Sequence, residues 1–155
     1  MDIGSKHGYP SSSLSNFAGH RFTLDDVEIH SMEGWLQGLK FKNPDMQVEV
    51  CKLVGYGAKK RGSKKNWKQE GLMYWRGEPI DRFGDEYQVL LDRAYKAMFE
   101  QSKSFRKALM STKDAVLTHS IGRRKESETI LTKTEFCRRL MDLRANAQNI
   151  DELFE

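Results

Sequence analysis

Between residues 85 and 101 the apolar positions recur at spacings of three and four: Tyr87, Leu90, Leu91, Ala94, Tyr95, Met98 and Phe99. That period gathers them on one side of a helix, the longest that the pattern predicts. A second run of the same kind, TEFCRRLMDLRANAQ over 134–148, turns Phe136, Leu140 and Leu143 inward and closes the domain. A short helix is expected over SFRKALMS, 104–111. Asn43 suits the N-cap of another helix, whose first position is Pro44, where the missing N–H costs no hydrogen bond, and Gly55 is placed to end it. Ser31 has the short hydroxyl of an N-cap for a helix that begins near Met32.

Alternation replaces the helical period in HRFTLDDVEIH, where residues 22–24 and 27–29 flank Asp25 and Asp26 and predict a hairpin. AVLTHSIG, 115–122, reads as a short buried strand or extended segment. The opening stretch through Ser15 is a Ser, Gly and Pro loop, and YGAKKRGSKKNW, 56–67, is a basic, glycine-broken surface segment with room for a short helical turn. The acidic NIDELFE end is expected to fray. The sum is a mainly α fold, five or so helices on one small sheet, in a single domain over 1–155. Its core spans about 13–145, between a mobile N-terminal loop (1–13) and a mobile C-terminal tail (146–155).

Composition narrows the class. A chain of 155 residues buries roughly 70% of its unfolded surface, so folding requires neither metal nor disulfide. Lys and Arg number 26 against 22 acidic residues, a net charge of +4; this suits a phosphate-bearing partner and falls short of a polybasic membrane protein. Cys51 and Cys137 are far apart, the histidines stand at 7, 20, 30 and 119, and no metal-ligand spacing emerges. No metal or cofactor is expected. With no signal-like core and no run near the ~20 apolar residues of a membrane span, the expectation is a soluble protein of a reducing cytoplasm, without membrane partners. Nothing here sets the oligomeric state.

Candidate chemistry centres on SMEGWLQGLKF, 31–41. On a helix Glu33, Gln37 and Lys40 fall within roughly 60° of one another, opposite Met32, Trp35, Leu36 and Leu39. The polar face either meets water or lines a pocket. Glu33 and Lys40 lie seven positions apart, roughly 10 Å along the axis, beyond the reach of an ordinary helical ion pair. Gly34 and Gly38 cost about 1 kcal/mol each relative to Ala and leave a bare ridge, so something packs or binds close to it. In a partly dry cleft, burial would raise the carboxyl pKa and lower that of the amine. Glu33 would then serve as acid, base or stabiliser of a developing cation, and Lys40 as a nucleophile toward an aldehyde. Further along, Lys59, Arg61, Lys64, Lys65 and Lys68 surround Trp67, with Tyr74 and Trp75 close behind. Such a mixture suits a phosphate and a stacked base, or a solvated loop whose aromatics enter the core. Asn16 reads as a turn cap or a ribose ligand, and His119 as a structural or proton-transferring imidazole.

These residues carry a resemblance. Ser15-Asn16-Phe17, FTLDD at 22–26, the Glu33, Gln37, Lys40 and Phe41 block, Ala58-Lys59-Lys60-Arg61-Gly62 and AMFEQS at 97–102 resemble, in order and spacing, the NADAR or YbiA-like proteins over roughly residues 13–145. One stretch departs: where many relatives carry Asp-x-x-Trp-Gly-x-Gly before the last helix, this chain reads HSIGRRKESETILTKTEF, 119–136. The resemblance implies a mainly helical, single-domain YbiA-like fold and an N-glycosyl hydrolase that splits ribose from a nitrogen base without metal or redox cofactor. Its substrate would be a phosphorylated ribosylaminopyrimidine of riboflavin synthesis or ADP-ribosylated guanine in nucleic acid. Glu33 and Lys40 would be catalytic, and Asn16, Gln37, Arg61, Trp67 and His119 would bind substrate. The divergent 119–136 segment keeps two other readings open: a module that binds ADP-ribose, NAD or nucleic acid without cleaving it, and a structural adaptor.

Overall fold

The computed structural model describes residues 1–154; Glu155 and the side chains from 151 onward, and with them the end of the expected mobile tail, lie outside the described residues. In chain order the elements are α1 (Ser11–Leu14), β1 (Phe22–Leu24), β2 (Val27–Ile29), α2 (Met32–Gly38), α3 (Pro44–Cys51), α4 (Gly55–Ser63), a 3-10 turn (Trp67–Gln69), β3 (Leu72–Trp75), β4 (Glu78–Asp81), α5 (Asp85–Gln101), α6 (Lys103–Ser111) and α7 (Lys133–Phe154). The mainly helical expectation is met, with two small antiparallel sheets where one was expected.

Each hairpin turns on two residues of positive φ, the geometry whose twist matches the flanking strands. Asp25 and Asp26 (φ 48° and 64°) join β1 to β2, and Arg76 and Gly77 (φ 53° and 88°) join β3 to β4. The second hairpin escaped the sequence reading because Pro79 interrupts its strand pattern and Arg76 is not a usual turn residue. The indole of Trp75 donates to the Asp25 carboxylate at 2.8 Å and thereby ties the two hairpins together.

The expected caps are in place. Ser31 Oγ accepts from the Gly34 amide at 3.0 Å, and Asn43 accepts from Asp45 and Met46 at 2.9 and 3.2 Å. Gly55 opens α4 at φ +54° where it was expected to close α3, which stops at Cys51. The basic stretch after it forms a nine-residue helix, α4, because Ala58 and Gly62 let one face sit against α2. Helix α7 runs past residue 148 to Phe154 and is longer than α5.

One continuous core holds Trp35, Leu36, Tyr87, Leu91, Tyr95, Phe136 and Leu140. The N-terminal segment, read above as a loop outside the core, enters it. Ile3 is fully buried, its amide donates to the Thr118 carbonyl at 2.7 Å, and Asp2 bridges to Thr118 in parallel register. Of the segment read as a short buried strand, only the residues leading to that bridge are extended and only Leu117 is buried; from His119 the chain turns, the Gly122 amide donating to the His119 carbonyl at 2.9 Å, with Val116 and Ile121 exposed because the bridge gives the segment a single partner residue. Among the described residues no helix is long and apolar enough to cross a membrane.

Candidate active site

The N-terminus of α2 meets the Ser15–Phe17 turn, where the Glu33 amide donates to the Asn16 carbonyl at 2.9 Å. Tyr95, on α5, donates its hydroxyl to Asn16 Oδ1 at 2.9 Å, and the amide hydrogens of Asn16 have no partner among the described residues. Between this turn, α2, α4, the 119–123 loop and the start of α7 lies a cavity of about 360 Å³, within the ~300–1,000 Å³ range of small-molecule sites. Asn16, Glu33, Gln37, Lys59, His119 and Arg123 give it its polar groups; Leu36, Ile130 and Phe136 supply apolar wall.

Glu33 is half-buried there, and Gln37 donates to its carboxylate at 2.9 Å. Burial raises its pKa above the ordinary carboxyl value, against the opposing pull of Gln37, Lys40, Lys59 and His119. Gln37 in turn is pressed by α4: a Cβ on Gly62 would lie 2.7 and 2.8 Å from its Cδ and Cβ, and its carbonyl oxygen is buried with no hydrogen-bond partner among the described residues. The bare ridge of α2 has its explanation as well. A Cβ on Gly34 would collide with the Leu53 carbonyl and come within 3.0 Å of that of Cys51, so α3 packs where the glycines leave space. The ridge serves helix packing, and the cavity opens on the neighbouring face.

Three expected site residues lie elsewhere. Lys40 is not in the cavity wall; its ammonium reaches the Gly62 carbonyl at 3.4 Å. Helix α2 ends at Gly38, and the chain leaves it through i→i+3 bonds, Lys40 to Gln37 at 3.1 Å and Phe41 to Gly38 at 3.0 Å. This tighter winding rises about 2.0 Å per residue instead of 1.5 and carries Lys40 past Gln37 to the C-terminal end of α4, where a cation suits the helix dipole. Burial lowers the Lys40 pKa, and Glu33 partly offsets the change. Arg61 stacks over Phe41, 4.7 Å from the ring centroid, outside the cavity. Trp67 is buried in the core, where a large indole gains more by leaving water than by waiting for a ligand. Lys59, three positions after Tyr56 on α4, is the basic residue that reaches the wall; the sequence offered it as one of several in a run, and only the rotation of α4 selects it. Arg123, Ile130 and Phe136 line the site from the segment that departs from the family motif: the sequence offered Arg123 as a stand-in for the missing Asp and Trp and Phe136 as an inward position of the last helix, and nothing in it pointed to Ile130. Among the described residues no group of three His, Cys, Asp or Glu is placed to hold a metal ion.

Comparison with known proteins agrees with this architecture. The fold matches the NMR structure of the E. coli protein YbiA with a TM-score of 0.62 at 18% identity, covering 99% of this chain and 86% of that one. The resemblance to YbiA-like proteins therefore holds at the level of fold. An uncharacterized 17.1 kDa protein in the Gp30-rIII intergenic region of Enterobacteria phage T4 is 38% identical over 139 residues, 88% of this chain and 91% of that protein. Residues 8–145 match the family described as bacteriophage protein GP30.3, and on these two sequence matches the chain belongs to that family.

Proposed function

We propose that this protein is an N-glycosidase that hydrolyses the bond between a ribose and a nitrogen base in a phosphate-bearing substrate. The observation that carries the reading is the Glu33 carboxylate, set in the wall of a small-molecule-sized cavity, desolvated, and oriented by the Gln37 amide. Breaking an N-glycosidic bond develops positive charge at the anomeric carbon. A poorly solvated carboxylate gains more from that charge than from a neutral substrate, and this difference between transition state and ground state is what accelerates a reaction. Asn16, whose amide hydrogens have no partner among the described residues, suits donation to ribose hydroxyls. Lys59 of α4 and Arg123 of the 119–123 loop, both in the cavity wall, suit a phosphate or diphosphate. Lys40, expected to be catalytic, takes a supporting part in this arrangement by holding the end of α4 against Gln37.

The test is incubation with DNA carrying ADP-ribosylated guanine and, separately, with ribosylaminopyrimidine phosphates. Free ADP-ribose or free base is expected from one of them. Glu33→Gln keeps the shape and the hydrogen bond to Gln37 and should lower kcat by about 10²–10³-fold while binding survives. Binding without release by the unmutated protein would sink the hydrolase and leave a recognition module for ADP-ribose or nucleic acid.

A further inference from the structure

We infer that His119 is the proton acceptor for the attacking water, with its tautomer set by the main chain of Ile3; this rests on the N-glycosidase reading above. His119 Nδ1 lies 2.8 Å from the Ile3 carbonyl oxygen. A carbonyl can only accept, so Nδ1 carries the hydrogen, and a neutral ring then has its lone pair on Nε2. That nitrogen has no hydrogen-bond partner among the described residues, yet it is not sealed from solvent. His20 shows what a structural histidine looks like in the same molecule: it is buried, with Nδ1 2.9 Å from Ser104 Oγ and Nε2 2.6 Å from the Ser13 carbonyl. His119 has one nitrogen anchored and the other unused, and it lines the same cavity as Glu33.

The ring is held from several sides. Phe136 meets it edge-on with centroids 5.2 Å apart at 81°. The Gly122 backbone lies against its Cδ2 edge, where a Cβ would come within 2.7 Å. Its loop is stitched to the N-terminal segment by Asp2, whose carboxylate accepts from the Ser120 amide at 2.8 Å and the Ser120 hydroxyl at 2.6 Å. A base fixed in tautomer and orientation needs no reorganisation when the reaction begins. The charged groups that share a cavity wall with it are Glu33 from α2, Lys59 from α4, Arg123 of its own loop and Lys133 and Arg138 of α7.

The water oxygen bonds to the anomeric carbon and gives a proton to His119 Nε2. The carbon–nitrogen bond breaks with its electron pair on the base nitrogen, which takes up a proton from solvent, and the imidazolium returns its own to solvent. Glu33 stabilises the cation; His119 manages the water.

Long-range proton–nitrogen NMR of the unmutated, nitrogen-15-labelled protein should find neutral His119 with its hydrogen on Nδ1; a hydrogen on Nε2 overturns the inference, whatever any variant does. His119→Asn retains an amide that can donate to Ile3 but provides no base. It should lower kcat by about 100-fold, with KM and Tm near those of the parent. Unchanged kcat in that variant, while Glu33→Gln is inactive, would overturn the role of His119 and leave the glycosidase standing. A parent protein that releases nothing would overturn both.

Discussion

The carboxyl of Glu33 answers two opposed demands, since a group desolvated for chemistry weakens the fold that holds it. Its folded-state pKa is raised by burial, so the native state binds this proton more tightly than the unfolded chain does. The associated stability is complete below the unfolded value and is lost as pH rises through the folded one. Glu33→Gln should therefore raise Tm at neutral pH. In a chain of this size each 1 kcal/mol gained corresponds to about 2–4 °C, and the gain should shrink toward zero below about pH 4. Thermal scans of both proteins from pH 4 to 8 check this; a lower Tm for the variant at pH 7 would contradict it. For the glycosidase activity proposed here, the same shift predicts an acid limb above the ordinary carboxyl range.

Helix α2 is short and weakly helical by composition, and its position depends on what its glycines admit. Helix α3 presses its C-terminal carbonyls onto Gly34, and α4 presses Gly62 onto Gln37. Gly34→Ala should destabilise by about 1–3 kcal/mol, the usual cost of overpacking, with a parallel fall in urea midpoint. Gly62→Ala makes a different prediction. It forces Gln37 off Glu33 and removes a hydrogen bond that opposes the raised pKa, so the acid limb of kcat/KM should move to higher pH. Glu33, Gln37 and the glycine spacing were visible as a pattern because one helical face collects them. The end of the helix was not, because the change from i→i+4 to i→i+3 bonding at Gly38 depends on the packing of Leu39 and Phe41 in the core.

Across the whole molecule, the far wall of the cavity is held by a buried ion pair. Arg82, fully buried on the turn after β4, donates to both oxygens of Glu135 at 3.1 and 2.7 Å and to the Thr129 carbonyl at 3.0 Å; Tyr87 donates to that of Ile130 at 2.7 Å. Burial would raise the Glu135 pKa, but hydrogen bonds from Arg82, Gln88 and the Thr132 amide outweigh it and hold it low. Its stabilising effect is present above the unfolded carboxyl value and is lost as pH falls through the folded one. Glu135→Leu strands a buried guanidinium and should cost about 3–5 kcal/mol, whereas Arg82→Met with Glu135→Leu should recover much of that loss. Urea unfolding of the two variants at pH 7 separates these outcomes; equal stability would show that the pair is not coupled. Because residues 129–131 form cavity wall, the single variant should also lose activity.

The amino-acid pattern alone determined the helix-rich class, the first hairpin, the caps at Ser31 and Asn43 and the face that unites Glu33 with Gln37, since each depends on local periodicity or on a side chain bonding its own turn. Tertiary structure alone decided which charges meet the cavity. Lys59 is turned into it by the packing of α4, Lys40 is carried beyond it, and Trp67 is absorbed by the core. The 119–131 wall takes its shape from residues up to 118 positions away, Asp2, Ile3 and Arg82 among them, because backbone groups without a ladder of their own must find partners wherever the fold brings them.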